Sequence, residues 1–415
     1  MGSRARSKIE LTSLANRGAA AAEAGLYAAA IADFLAVYGR SGAGGETQQR
    51  AARNLANCYL ALGDIAASLQ YSRAALAIDP ADVRAALVFA RGLAQQGGAE
   101  SLRQAELILD ALDSSPHPFD PREVLLHRVQ VLVKLGQLDS AVEQVQAGLD
   151  RMGSSPGLLF ALGEVLGLSG QMAAAGDAFR RCLESDPTDR YGAAAAWSRL
   201  QGETPPQLSR EFVTQLFDDY APRFDRDLAR LDYRVPELIF AAVEGFLPRR
   251  RLLDLGCGTG LGAVAFAQRV PERVGVDLSP KMIDAARARG LYHRLEAAEI
   301  TEFLKAEAET LAQARYDLVL AADVLVYCGD LSTIFSLLAR LMGRGGIFAF
   351  SVESFPAAES RDYELTEAMR FRHSDDYVTK TLQNSRFLVK FAHPITPRRD
   401  RGQPVLGKLF VAEFQ

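Results

Sequence analysis

The chain is poor in cysteine and histidine. Of its 415 residues only four are cysteines, Cys58, Cys182, Cys257 and Cys328, scattered with no CxxC pair. That excludes a disulfide scaffold and a zinc site of paired thiolates, and the cysteines read as reduced thiols. The five histidines leave few candidates for a general base. Although 48% of the residues are hydrophobic, no apolar run approaches the roughly 20 residues that span a bilayer. The start, MGSRARSKIELTS, lacks the apolar centre of a secretory leader. There is no excess charge of either sign: the net charge of −4 gives no electrostatic support for nucleic acid binding. A cytoplasmic protein of two or three domains, with no membrane or nucleic-acid partner, is expected.

Glycine is concentrated where it matters. Residues 252–262 read LLDLGCGTGLG, an apolar run followed by glycines at 256, 258, 260 and 262. Such a strand-to-helix turn lets a ligand approach the backbone more closely than a Cβ would allow. A glycine pattern alone is weak, and from Gly258 this one also fits a dinucleotide fingerprint. A second short strand, RVGVDLS, ends in Asp277, where an acid can accept from both hydroxyls of a ribose. Nicotinamide dinucleotides and S-adenosylmethionine (SAM) both carry that ribose.

The continuation resembles class I SAM-dependent methyltransferases more than dehydrogenases. DLSPKMIDAARARG resembles the opening of their second helix, with Ser279 as N-cap and Pro280 at the first helical position. EAAEITEFL puts Glu299 after a third strand, YDLVLAADVLVYCGDL sets Asp323 and Tyr327 at the end of a fourth, and GRGGIFAFSVE supplies a Gly-Gly turn and a fifth strand.

The first two hundred residues are Ala- and Leu-rich and read as helices. Gly25, Gly63, Gly97, Gly136 and Gly170 recur at intervals of roughly 34–39 residues, the period of tetratricopeptide repeats. The clearest unit, NLANCYLALGDIAASLQYSRAALAIDP, has Leu55, Ala56, Tyr59, Gly63, Ser68, Ala75 and Pro80 at that repeat's spacings, and the third unit is interrupted near SSPHPFDP. About five repeats and a capping helix are expected over 1–200, then a polar linker, 201–209, with Pro205 and Pro206. Such arrays present a concave face that usually holds a peptide or partner protein; capping the enzyme or forming a homodimer are the plainer uses.

After the linker, LFDDYAPRFDRDLARLDYRVPELIFAAV completes a resemblance to bacterial methyltransferases with N-terminal tetratricopeptide repeats, which covers nearly the whole chain. The resemblance implies an α-helical repeat superhelix followed by a Rossmann-like, seven-stranded, doubly wound domain with an antiparallel last strand. That domain would span 210–415, with lid helices over 210–247. It implies SAM as cofactor and S-adenosylhomocysteine as product. The implied cofactor site is Tyr220, Tyr233, Asp254, Gly256, Cys257, Gly258, Gly260, Asp277, Leu278, Met282, Glu299, Ile300 and Asp323. Within it Asp254 would hold the ammonium, Asp277 the ribose and Glu299 the adenine amino group, while the lid tyrosines would meet the methionine end. Phe217 and Phe224 are read as an aromatic stripe that packs a helix on the sheet. FRHSDDYVTKTL is expected to be an acceptor-side helix, followed by two closing strands joined through RRDRGQPVLG. Two departures stand out: NSRF lacks a glycine before Phe387, and Glu299 is longer than the usual aspartate.

Methyl transfer is an in-line displacement, so the protein must align its reactants and exclude water. An oxygen or nitrogen acceptor that carries a proton also needs a base. His373 is the positional candidate, with Tyr327 and Asp323 to orient the acceptor; His117, His127 and His293 read as surface or packing residues, and His393 ends a strand. A carboxylate acceptor would need no base. No metal is expected: Asp218 with Asp219, and Asp375 with Asp376, read as solvated helix faces. The acceptor stays open between a protein, a peptide and a small molecule. Two other functions are weighed: a repeat adaptor that senses SAM without turnover, and a nicotinamide reductase.

Overall fold

The computed structural model describes residues 3–415 except 43, 115, 311–315, 356–360 and 401–402, and the backbone alone of residues 3–8 and 400. The chain divides into two compact units, 1–185 and 186–415.

The first unit is a run of helical hairpins: α1 (Ser3–Glu23) with α2 (Tyr27–Arg40), α3 (Glu46–Ala61) with α4 (Ile65–Ile78), α5 (Val83–Gln96) with α6 (Ala99–Asp113), α7 (Pro121–Lys134) with α8 (Leu138–Met152), and α9 (Pro156–Leu168) with α10 (Met172–Ser185). The repeated glycines end helices in the left-handed region. At Gly63 (φ +70°) the chain turns out of α3, and Asp64 N donates to Tyr59 O at 2.8 Å, a bond that closes the helix end. Asp64 then caps α4, accepting from Ala67 N at 3.1 Å. Small residues set the helix spacing: a Cβ at Gly148 would lie 2.2 Å from Leu125, and one at Gly163 2.6 Å from the Phe179 ring. The connection near SSPHPFDP lengthens the turn between α6 and α7; residue 115 within it lies outside the described residues.

The second unit begins earlier than the sequence suggests. Helix α11 (Ala193–Leu200) belongs to it, because Ala195 packs in one cluster with Leu208, Val213, Leu365 and Phe371. The stretch 201–209 is not a free linker. Pro206 O accepts from Gly329 N and Asp330 N at 2.9 and 3.0 Å, and Leu208 is buried.

Next come α12 (Arg210–Tyr220), a 3-10 turn at Ala221–Arg223, α13 (Phe224–Arg230) and α14 (Val235–Val243). The alternating part follows: β1 (Arg251–Leu255), α15 (Leu261–Phe266), β2 (Glu272–Asp277), α16 (Pro280–Arg289), β3 (Arg294–Ala297), α17 (Ile300–Thr310), β4 (Tyr316–Ala321), α18 (Ser332–Leu341) and β5 (Met342–Ser354). The chain ends with β6 (Tyr363–Leu365), β7 (Phe371–His373), α19 (Asp375–Asn384), β8 (Phe387–Ile395), the small hairpin β9 (Arg399–Asp400) and β10 (Gln403–Pro404), and β11 (Gly407–Phe414).

The strands lie in the order β3-β2-β1-β4-β5-β11-β8. β1 to β5 are parallel, and β11 runs antiparallel between β5 and β8. This is the doubly wound sheet with an antiparallel last strand that the sequence implies. Alternate residues feed the two faces: Leu253, Leu255, Phe348 and Phe350 enter one core, Leu252, Leu318, Ile347 and Ala349 the other. The order reverses between β1 and β4, so the ligand crevice is expected beyond their carboxyl ends.

Two features differ from the sequence reading. β6 and β7 form a hairpin whose second strand runs beside the end of β5, with Ser354 opposite His373. The expected helix from Phe371 therefore starts only at Asp375, where Ser374 caps it by accepting from Tyr377 N at 3.2 Å. The RRDRGQPVLG connection holds β9 and β10, with Arg401 and Gly402 outside the described residues.

Candidate active site

The carboxyl end of β1 leads into the glycine turn, and three of its glycines adopt positive φ: +62° at Gly256, +52° at Gly258 and +96° at Gly260. At Gly256 conformation and space both demand glycine, since a Cβ would lie 2.2 Å from Val324 Cγ2. At the tip of β2 the Asp277 carboxylate accepts from Gly258 N at 2.8 Å and from Ser279 N at 2.9 Å. It thus ties the glycine turn to the N-terminus of α16. Burial pushes its carboxyl up to about 6, against the pull of those two backbone donors.

Over this turn lies a cavity of about 830 Å³, within the range of roughly 300–1,000 Å³ usual for small-molecule sites. Helices α12 and α13, which border it, are pinned by two aspartates. Asp218 accepts from Ser279 Oγ at 2.5 Å and Asp225 from Thr259 Oγ1 at 2.5 Å, and Arg289 pairs with Asp225. Aromatics of these helices form a continuous cluster, with Tyr220 edge-on to Phe224 at 5.2 Å and Phe217 edge-on to Tyr327 at 5.1 Å between ring centres.

The other end of the cavity is charged. Asp323, just beyond β4, has φ +55°, and its N–H donates to Ser351 Oγ at 2.9 Å. Arg398 Nη1 reaches both its oxygens at 2.9 and 3.3 Å, while the other end of that guanidinium pairs with Glu353. Burial raises the Asp323 carboxyl to about 6, opposed by the nearby Arg370. Arg370 also lies 5.9 Å from the centre of the Tyr327 ring, whose phenol burial pushes up to about 12.

Of the residues singled out by sequence, Tyr220, Tyr233, Gly256, Gly258, Asp277, Leu278, Glu299, Ile300, Asp323 and Tyr327 line this cavity. The carboxylate of Glu299 is partly engaged, accepting from the Thr301 hydroxyl and from Glu302 N at 3.0 Å at the start of α17. Asp254, Cys257, Gly260, Met282 and His373 lie behind the wall. Asp254 is buried, accepts from Tyr292 Oη at 2.6 Å and sits against Gly262, whose Cβ would be 2.3 Å from its oxygen. Burial lifts its carboxyl to about 7. It supports the turn from beneath and is not exposed to a ligand's ammonium. Cys257 and Met282 are core residues, and Gly260 turns under Tyr292.

His373 is not an acceptor-side base. It is fully buried in β7, and its Nε2 bonds Cys328 O at 2.9 Å and Gly329 O at 3.0 Å. With two carbonyl partners Nε2 carries the proton, and Nδ1 is buried without a partner. The ring locks the β6–β7 hairpin to the segment after β4. Burial lowers its pKa to about 4, below the unfolded value near 6.5, so the folded state refuses a proton that the unfolded chain accepts. The contribution is therefore intact above pH 6.5 and is lost as pH falls from 6.5 to 4. Relative to His373→Gln, the wild type is expected to lose roughly 3 kcal/mol of unfolding free energy over that window, measured by denaturant titration at stepped pH.

Sequence reasoning missed Arg370 and Arg398, because no motif marks the hairpin and the strap that carry them. Phe217 and Phe224, read as packing, line the cavity.

Residues 253–350 match the methyltransferase domain family, and residues 51–82 and 156–189 match the tetratricopeptide repeat family. A ubiquinone biosynthesis O-methyltransferase of Alkalilimnicola ehrlichii is 32% identical over 179 residues, 42% of this chain and 62% of that protein. Human methyltransferase-like protein 27 is 40% identical over 97 residues, 22% of this chain and 38% of that protein. The chain thus spans less than two thirds of these relatives. Among solved structures, the 1,6-didemethyltoxoflavin-N1-methyltransferase of Burkholderia thailandensis, with bound S-adenosylhomocysteine, aligns over 51% of this chain and 91% of its own at 18% identity and a TM-score of 0.39. The chain combines segments that match tetratricopeptide repeats with one that matches a methyltransferase domain.

Proposed function

We propose that the protein transfers the methyl group of SAM to an oxygen or nitrogen nucleophile of an acceptor that the repeats recruit or enclose. The observation that carries this reading is the cavity above Gly256 and Gly258, with the Asp277 carboxylate in its wall. The residues fit the cofactor: a side chain at Gly258 would project into the cradle toward Phe224, 3.5 Å from its Cβ. Bound there, SAM supplies a methyl carbon made electrophilic by its sulfonium.

The chain's own residues bind, orient and dry the site. Asp277 keeps lone pairs for ribose hydroxyls beyond the two backbone donors it already holds. Glu299 is left with part of its accepting capacity for an adenine amino group. Tyr220, Phe224 and Tyr233, under a lid pinned by Asp218 and Asp225, exclude water and fix the geometry of approach. Tyr327 and Arg370 receive the acceptor, and Asp323, held by Arg398, lines the wall beside them. The repeats supply an extended surface for a protein or peptide acceptor. Among the described residues no helix is long and apolar enough to cross a membrane. The four cysteines, with no disulfide among the described residues, fit a reducing, cytoplasmic setting.

Labelled-methyl transfer from SAM into an extract of the expressing cells, split into protein and small-molecule fractions, tests this reading. Label is expected with the wild type and not with Asp277→Ala. Label in a protein band assigns the repeats to acceptor recruitment, and label in small molecules makes them a shell around a metabolite site. No label, with SAM bound, contradicts catalysis and favours a SAM-sensing adaptor.

A further inference from the structure

Among the described residues, the acceptor end of the cavity offers a cation and no free base. Arg370, at the tip of the β6–β7 hairpin, lines the cavity. The tip is fixed: Thr366 N donates to Arg370 O at 2.9 Å, and His373 anchors the following strand. The carboxylate nearest to Arg370 in the described ion pairs is Glu353 Oε1, at 3.6 Å. That same oxygen is held more closely by Arg398. Arg398 is therefore committed to Asp323 and Glu353, whereas the five-donor guanidinium of Arg370 bonds the Tyr327 phenol and stands 3.6 Å from Glu353, which leaves it donors for a further partner.

Among the described residues, the groups facing Arg370 include no good proton acceptor for a neutral alcohol or amine. On the 3-10 turn Leu325–Tyr327, burial keeps the Tyr327 phenol protonated. Beyond β4, both oxygens of Asp323 are occupied by Arg398. On β5 Glu353 is paired, on the lid Tyr220 is shifted upward by burial, and His373 is walled off. Resting on the methyl-transfer reading above, we propose that the acceptor is a carboxylate, held by Arg370 and methylated on one of its own oxygens. A carboxylate oxygen donates a lone pair to the methyl carbon. The carbon–sulfur bond breaks with its electron pair returning to sulfur, giving a methyl ester and S-adenosylhomocysteine. No proton moves, so no base is needed, and a planar carboxylate matches the fork of an arginine.

The test uses the full chain, labelled SAM and an extract of the expressing cells, with mild alkali applied to the products. Methyl esters release volatile methanol under alkali, whereas methyl ethers and methylamines keep their label. The expected result is alkali-labile label, with a transfer rate flat from pH 7 to 9 because the carboxylate is ionised throughout. Arg370→Ala should lower that label roughly 10- to 100-fold, with SAM affinity within about two-fold of wild type and partial rescue by Arg370→Lys. Alkali-stable label, or a rate rising about tenfold per pH unit, overturns the carboxylate and leaves methyl transfer standing. Alkali-labile label indifferent to Arg370→Ala overturns the role of Arg370. No label despite bound SAM overturns methyl transfer itself, and this inference with it.

Discussion

Asp277→Ala is expected to weaken SAM binding about 100-fold or more. The carboxylate is the acceptor available to the ribose at the tip of β2, and charge-assisted hydrogen bonds of this kind are worth about 1.5–3 kcal/mol each. The substitution also releases Gly258 N and Ser279 N, which Asp277 holds at 2.8 and 2.9 Å, so the glycine turn loses its tie to α16. The pH dependence has a definite sign. Burial raises the carboxyl to about 6, so in the free protein it takes up a proton as pH falls through that value, and the ribose loses its acceptor. Wild-type affinity should therefore decline below about pH 6, while the variant's weaker affinity stays flat. The free fold follows the opposite sense. Between the unfolded value of 3.8 and about 6 the folded state binds the extra proton, so this group's contribution declines as pH rises through that window. Calorimetric titration with SAM at pH 5, 6, 7 and 8 checks the first prediction, and thermal unfolding at the same pH values the second.

Gly256→Ala should cost both stability and binding, and more stability than Gly258→Ala. At Gly256 the added Cβ would lie 2.2 Å from Val324 Cγ2 and 2.5 Å from its Cβ, at a φ of +62°. Val324 has little room to yield: the residue before it is held through Asp323 N to Ser351 and through Asp323 to Arg398. Overpacking of this kind costs about 1–3 kcal/mol and the left-handed backbone roughly 1–2 more, so the unfolding midpoint should fall on the order of 10 °C. At Gly258 the Cβ would meet only Phe224, 3.5 Å away. That variant carries the backbone cost alone but fills the cradle, so it should lose SAM affinity with a smaller drop in midpoint. Differential scanning fluorimetry with and without SAM separates the two effects. Equal midpoints for both variants would contradict the packing argument.

What could be read from the sequence is what local physics fixes. The LLDLGCGTGLG turn, the acid at the end of RVGVDLS and the Ser279–Pro280 helix start each state their own conformation, because glycine, the N-cap hydroxyl and proline act within a few residues. The repeat period was legible for the same reason: Gly63, Gly136 and Gly170 each terminate a helix by their own positive φ. Side-chain direction across the sheet was not legible. Asp254 and Asp277 both end strands beside the turn, yet one points beneath it to Tyr292 and the other into the cavity. Their different roles come from tertiary packing. His373 misled for a related reason. FRHSDDY contains a helix start, but three of its residues pair with β5 and β6, and such pairing is a long-range event that the local pattern does not encode. Arg370 and Arg398 arrive from a hairpin and a strap without any periodic signal, so the acceptor end of the site emerges only from the fold.

Calorimetric titration of the purified full chain with SAM, S-adenosylhomocysteine and NADH tests the central claim most directly. One molecule of SAM, and one of S-adenosylhomocysteine in competition with it, should bind per chain, with NADH showing no heat. Saturable binding of NADH, or no binding of SAM to a folded protein, would contradict the account.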